Sequence, residues 1–241
     1  MAKDTGRPFA VFDIDGTLIR WQLYHAVADE LAKQGYTTPK TYQAMREARM
    51  TWKRRTDDNA FKDYEAKVIV AYEKALLNLT LDQLIKIADK VFDEYKEQVY
   101  IYTRNLIAEL KAKNYMLLAI SGSQSEIVEK VVNYWGFDDY LATVYAQEDA
   151  RFTGQKIVHS DDKKSALNKM VTKHNLNFKG SIGVGDTRSD IPMLEIVERP
   201  IAFNPEKELF AHAKSKGWKI VIERKNMIYE LEKLNGRYQL A

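Results

Sequence analysis

Two carboxylates two residues apart, Asp13 and Asp15, close the first apolar run of the chain, Phe9 to Phe12. A short run of this kind is characteristic of a strand buried on both faces. Two carboxylates at the end of such a strand repel each other and shed hydration, so they persist there only where a cation or a proton offsets the cost. Gly16 and Thr17 then turn the chain sharply. In an open α/β sheet the carboxyl ends of the strands are where ligands bind. The pair therefore reads as a divalent-metal site with one carboxylate free to act as a nucleophile.

Three later groups extend this chemistry. Leu118-Ala-Ile-Ser121-Gly122-Ser is a hydrophobic strand ending in a hydroxyl, and a hydroxyl beside the N–H groups of a helix start makes an anion site. Lys163 and Lys164 open a predicted helix. Lys163 shares a face with Leu167 and Met170 and so points toward the sheet, whereas Lys164 aligns with Asn168 toward solvent. A cation in the first turn opposes the helix dipole. That placement makes sense where the lysine neutralises a bound phosphate, and Lys163 is the residue selected. Finally, Gly185-Asp186 ends another apolar run, with Asp190 four residues on.

In this order the four segments resemble the motifs of the haloacid dehalogenase superfamily of hydrolases: Asp13-Ile-Asp15-Gly-Thr-Leu, Ser121-Gly-Ser, Lys163 and Gly185-Asp186-Thr-Arg-Ser-Asp190-Ile-Pro-Met-Leu. The finer texture is similar to the phosphoserine phosphatase-like subfamily, through Tyr140-Leu-Ala-Thr143, Phe152-Thr-Gly154, Asn204-Pro205 and Lys216-Gly-Trp218. The resemblance implies a Mg²⁺-dependent phosphatase acting on a small phosphorylated metabolite, with a helical cap inserted after the first motif. Asp13 would attack phosphorus and give an aspartyl-phosphate, and Asp15 would serve as general acid and then general base. Ser121, Gly122 and Lys163 would hold the phosphoryl group. Mg²⁺ keeps several waters and needs few protein oxygens. Asp13, the main-chain carbonyl of Asp15 and Asp186 would supply them, with Asp190 and Thr17 orienting the site from behind. A phosphomutase of the same superfamily and a non-catalytic phosphate-binding module are the competing readings.

Two departures bear on the substrate. Gln22 stands nine residues after Asp13, where the resemblance leads one to expect a glutamate that pairs with a substrate amino group, and Ser189 stands where asparagine is usual. They imply that O-phosphoserine is not the preferred substrate.

The elements that must position these residues are legible in outline. Between Gly35 and Gly122 there is no glycine, and Pro39 is the only proline, which argues for packed helices. Leu81, Leu84, Ile85, Ala88, Val91, Phe92 and Tyr95 form a helical stripe behind a Thr80 N-cap; Phe61, Tyr64, Val68, Tyr72 and Ala75 trace another. The expectation is an all-helical cap over residues 19–100, set into a Rossmann-like core of residues 1–18 and 101–241. From Met116 onward strands and helices alternate, implying an α/β fold with a doubly wound parallel sheet. A hairpin is expected around Arg151 to Gln155, and Met227 to Leu234 is amphipathic and expected to pack on the core.

With 241 residues the chain suits one core plus a modest insertion. Its net charge of +3 without a basic block excludes a nucleic-acid partner from expectation. The absence of cysteine removes disulfides and thiolate zinc sites. Met1 to Pro8 contains no apolar region, and no run is long enough to span a bilayer, so a cytoplasmic protein is expected. His25, His159, His174 and His212 lack metal-ligand spacing, and Lys53-Arg54-Arg55 reads as a solvated helix face. Oligomeric state is not encoded in any of these features.

Overall fold

The computed structural model describes residues 7–55, 57 and 59–240. The opening segment of residues 1–6, read above as polar, lies outside the described residues. Strand β1 (Phe9–Phe12) is the centre of the sheet and is buried along its whole length. Phe9 and Val11 enter one apolar layer and Ala10 and Phe12 the other, as the alternation of a strand requires. β1 pairs in parallel with β2 (Met116–Gln124) on one side and with β5 (Ile182–Gly185) on the other.

From β1 the sheet grows outward both ways. β2 pairs in parallel with β3 (Asp139–Glu148), while β5 pairs with β6 (Arg199–Phe203) and β6 with β7 (Lys219–Arg224). The chain thus winds in one direction through β2 and β3, and in the opposite direction after returning to β5. The reversal falls between β1 and β5, which is where ligand crevices of doubly wound sheets lie. Helices α5 (Ile101–Ala112) and α6 (Ser125–Trp135) cover one face; α7 (Lys163–Lys173), α8 (Ile191–Leu194) and α9 (Lys207–Lys216) cover the other.

The parallel core ends in antiparallel edges. On one side β4 (Arg151–Ile157) forms the expected hairpin with β3. On the other, β8 (Met227–Leu234) and β9 (Arg237–Leu240) extend the sheet from β7. The amphipathic Met227–Leu234 segment is therefore a strand.

Four helices stand between β1 and α5: α1 (Leu23–Lys33), α2 (Pro39–Arg54), α3 (Ala60–Leu76) and α4 (Leu81–Tyr95). Thr80 caps α4 reciprocally with Gln83 in a capping box. The two connections to this helical segment pair with each other, Arg20 N–H donating to Gln98 at 2.8 Å and Tyr100 N–H to Leu18 at 3.0 Å. Glu223 of β7 fixes this neck. Its carboxylate accepts from Arg20 at 2.6 Å and from the N–H groups of Ile101 and Tyr102, at 3.0 and 2.8 Å. The β3–β4 hairpin also meets the helices: Leu81 N–H donates to Ala150 at 2.9 Å, and Lys156 pairs with Glu73 at 2.6 Å. Among the described residues no helix is long and apolar enough to cross a membrane.

Candidate active site

The carboxyl ends of β1 and β5 bring Asp13 and Asp186 together at the point where the sheet reverses. Asp13 N–H continues the ladder to Val184 at 2.9 Å. Beyond it the chain turns through Gly16, whose φ of +85° suits glycine. A Cβ on Gly16 would lie 2.3 Å from Asp186 Oδ2, so the turn and the second carboxylate are packed against each other. Thr17 Oγ1 donates to Asp186 Oδ1 at 3.0 Å, and the Thr17 carbonyl accepts from the buried Thr103 at 2.9 Å.

Asp13, Asp186 and Asp190 each offer an oxygen within 4.8 Å of the others. The buried cation beside them is Lys163, whose side chain is 2% exposed and whose Nζ lies 2.5 Å from Asp13 Oδ1 and 2.6 Å from Asp190 Oδ1. Lys164 is exposed. The helical-face argument therefore selected the lysine that reaches the carboxylates. Burial drives the Asp13 carboxyl up to about 7 despite the opposing pull of Lys163, and drives Asp186 well above the ordinary range. Burial opposes the charge on the Lys163 ammonium, yet Asp13 and Asp190 hold it above its usual range.

Two buried carboxyls, Asp13 and Asp190, and the half-buried Asp186 crowd around one ammonium, an arrangement that a hard cation would relieve, and the donor set is all oxygen, as Mg²⁺ favours. The residues present fit such an ion. Asp190 is the least free of the three. Its Oδ2 accepts from the N–H groups of Asp186 and Thr187, at 3.0 and 2.9 Å, while Oδ1 meets Lys163. A 3₁₀ turn (Arg188–Asp190) creates this arrangement.

Asp15 occupies a different environment. Its Oδ2 accepts from Ser121 Oγ at 2.7 Å, and its Oδ1 accepts from Ser123 Oγ at 3.0 Å and from Leu23 N–H at 2.5 Å. Burial raises its carboxyl, and these hydrogen bonds oppose the rise. Its carboxylate is not part of the Asp13–Asp186–Asp190 group. Ser121, expected to face a phosphoryl oxygen, thus spends its proton on Asp15 here. Gly122 lies at the cleft, with Ser160 Oγ 3.2 Å from where a Cβ would stand.

The site opens into a cleft of about 1220 Å³ between the sheet's end and the helices. Sequence reasoning missed several of its residues. Ser123 links Asp15 to α1 by accepting from Tyr24 N–H at 3.0 Å; the Ser-Gly-Ser spelling was its one local signal. Tyr24, Glu65, Tyr72 and Gln124 also line the cleft, and nothing in their local sequence marks them. Gln22 lines it as well. The solvated-face reading of Lys53-Arg54-Arg55 agrees with their exposure. His25 is buried in an aromatic cluster with Trp21, Tyr24, Phe61 and Tyr64.

Comparison with known proteins agrees with this geometry. Residues 10–195 match the model of the haloacid dehalogenase-like hydrolases. The chain is 24% identical over 218 residues to the phosphoserine phosphatase SerB1 of Mycobacterium tuberculosis, covering 88% of this chain and 69% of the relative. It is 25% identical over 222 residues to the histidinol-phosphatase of Neisseria meningitidis serogroup C, covering 88% and 97%. Its fold resembles the crystal structure of a Bordetella pertussis Tohama I protein of unknown function, with a TM-score of 0.73 at 21% identity, covering 91% of this chain and 99% of the other. With motifs, sheet topology and family match in agreement, the chain belongs to the haloacid dehalogenase-like hydrolases.

Proposed function

We propose that the enzyme hydrolyses a small phosphomonoester through an aspartyl-phosphate on Asp13, with Mg²⁺ held by Asp13, the main-chain carbonyl of Asp15 and Asp186. The observation that carries this reading is the separation of two neighbouring carboxylates into two environments. Asp13 lies against Lys163 within the acidic group, whereas Asp15 lies apart, held by two hydroxyls and a backbone N–H. Two carboxylates held in different environments can take different roles, here Asp13 as nucleophile and Asp15 as acid–base.

In the first step an Asp13 oxygen forms the bond to phosphorus while the bond to the leaving alcohol breaks, and Asp15 delivers its proton to that alcohol oxygen. In the second, Asp15 takes a proton from water, the water oxygen attacks phosphorus, and the Asp13–phosphorus bond breaks to release phosphate. Lys163 and the Ser121–Gly122 backbone stabilise the phosphoryl oxygens as charge develops. The bound metal supplies Lewis-acid neutralisation of the phosphoryl charge. Asp190 and Thr17 keep Lys163 and Asp186 in place. Helices α1–α4 act as the cap, covering residues 19–100 and excluding water from the cleft.

The test is turnover of p-nitrophenyl phosphate by the full chain, with and without Mg²⁺, alongside acid-quench labelling of the protein by ³²P-substrate. Mg²⁺-dependent turnover with label on the wild type and none on Asp13→Asn is the expected result. Undiminished turnover in excess EDTA, or label retained in Asp13→Asn, would refute the reading.

A further inference from the structure

Helix α1 begins without a cap of its own, since the side chain of Gln22, which precedes it, accepts no hydrogen bond from the first turn. The first N–H groups of a helix have no partner within it. Here they turn to the sheet. Leu23 N–H donates to Asp15 Oδ1 at 2.5 Å, and Tyr24 N–H donates to Ser123 Oγ at 3.0 Å. Ser123 in turn donates to Asp15 Oδ1 at 3.0 Å. It is 1% exposed and lies where the pairing of β2 with β3 shifts register, between Ile120 and Gln124. Such irregularities re-aim side chains beside active sites.

A serine hydroxyl has one hydrogen to give, and both hydroxyls at Asp15 give theirs to the carboxylate. Ser121 donates to Oδ2 at 2.7 Å and accepts from Ser123 N–H at 3.0 Å. The two carboxylate oxygens are nonetheless unlike. Oδ1 is held by two donors, and one of them, a main-chain N–H, cannot turn away. Oδ2 is held by a single hydroxyl, which rotates about its own bond. Only Oδ2 can take a proton without breaking the link to α1. The torsion that sets the plane of an aspartate carboxylate is broad, so the pair of donors on Oδ1 fixes where Oδ2 points.

We propose that Ser123 is the positioning residue of the acid–base carboxylate. By gripping Asp15 Oδ1 while accepting from Tyr24 of α1, it aims Oδ2 at the oxygen of the leaving alcohol. The inference rests on the phosphatase reading of the site and adds to it a residue to which the motifs assign no role. In the first step the proton passes from Asp15 Oδ2 to the alcohol oxygen as the bond from that oxygen to phosphorus breaks and the Asp13–phosphorus bond forms. Ser123 gives up no proton, and its hydrogen stays on Oδ1. Proton delivery is sensitive to aim, because a misplacement of about 1 Å costs on the order of a hundredfold.

The experiment compares kcat/KM for p-nitrophenyl phosphate and phenyl phosphate, two esters of nearly the same shape. Nitrophenoxide departs without a proton, whereas phenoxide is a poorer leaving group and gains from one. kcat/KM covers the steps through release of the phenol, so hydrolysis of the aspartyl-phosphate does not enter the comparison. Ser123→Ala should lower the value for phenyl phosphate at least about tenfold further than for p-nitrophenyl phosphate, a share of the roughly 10²–10⁴-fold that general acid catalysis supplies. In Asp15→Asn there is no acid to aim, so adding Ser123→Ala should change the ratio of the two esters by less than about twofold. Equal losses on both esters in Ser123→Ala would show a helix cap with no part in proton delivery and overturn the proposal. The same steepening in the Asp15→Asn background would overturn it too. If the alanine variant fails to fold, Ser123→Cys, close in shape but a weaker donor, carries the same comparison. Mg²⁺-dependent turnover with equal losses removes this inference and leaves the phosphatase reading standing. No Mg²⁺-dependent turnover of either ester removes both.

Discussion

Lys163 reaches Asp13 from 150 residues away in sequence, its ammonium 2.5 Å from Asp13 Oδ1. The lysine sits at the first position of α7, where the helix dipole opposes a positive charge. Its position is tolerated because Asp13 and Asp190 neutralise it where it is almost fully buried. Removing it would leave three carboxylates crowded together with no protein cation among them. Lys163→Ala is therefore expected to lower kcat at least a hundredfold, the scale of losing a preorganised charge at a developing anion. Lys164→Ala, at an exposed position, should stay within about twofold. Steady-state kinetics on both variants check this, and equal losses would contradict it.

Binding of Mg²⁺ should be visible without any turnover. An ion that binds the folded chain alone raises its stability by mass action, about 2.7 kcal/mol at a hundredfold excess over Kd. The melting temperature should rise with Mg²⁺, return with EDTA, and respond much less in Asp186→Asn. A melting curve indifferent to Mg²⁺ in the wild type would count against the assigned ligands.

His25 offers a pH test that involves none of the proposed metal ligands. Burial, with a smaller contribution from Arg49, lowers its pKa to about 3 from the ordinary 6.5, and both ring nitrogens lack partners. The unfolded chain therefore binds a proton that the folded chain refuses. Stability from this group is full above pH 6.5 and is lost as pH falls toward 3, by up to about 1.4 kcal/mol per pH unit. His25→Phe should remove that slope and fit the aromatic surroundings. Chemical denaturation at pH 7.5, 6 and 5 measures it, and parallel slopes in the two proteins would refute the account.

The sequence marked the carboxyl end of the sheet more clearly than the cleft above it, for a physical reason. Asp13, Asp15 and Asp186 follow buried strands, and Lys163 lies on a helix face, so local periodicity alone aims them. Ser123, Gln124, Tyr24 and Glu65 matter only because α1 and α3 fold back over β2, a long-range juxtaposition without a local signature. Met227–Leu234 shows the limit from another side. Its pattern of mixed apolar and charged residues shows an amphipathic segment, but only pairing with β7 makes it a strand.

Gly185 tests whether Asp190 matters by position rather than by charge. It closes β5 at an ordinary backbone conformation, yet a Cβ there would stand 2.4 Å from Asp190 Cγ and 2.5 Å from its Cβ. That neighbour cannot yield, since its carboxylate is tied to the N–H groups of Asp186 and Thr187 and to Lys163. One added methyl must therefore pull Asp190 off Lys163 or tear the turn that carries Asp186. Gly185→Ala is expected to lower kcat a hundredfold or more and to shrink the Mg²⁺-induced rise in melting temperature. Gly35→Ala is the control. At a φ of +84° with no atom within 4 Å, it should cost about 1 kcal/mol of stability through backbone strain and leave kcat unaltered. If Gly185→Ala keeps kcat within threefold and melts like the wild type with Mg²⁺, the Asp190 bridge between Lys163 and the Asp186 turn does not position the site.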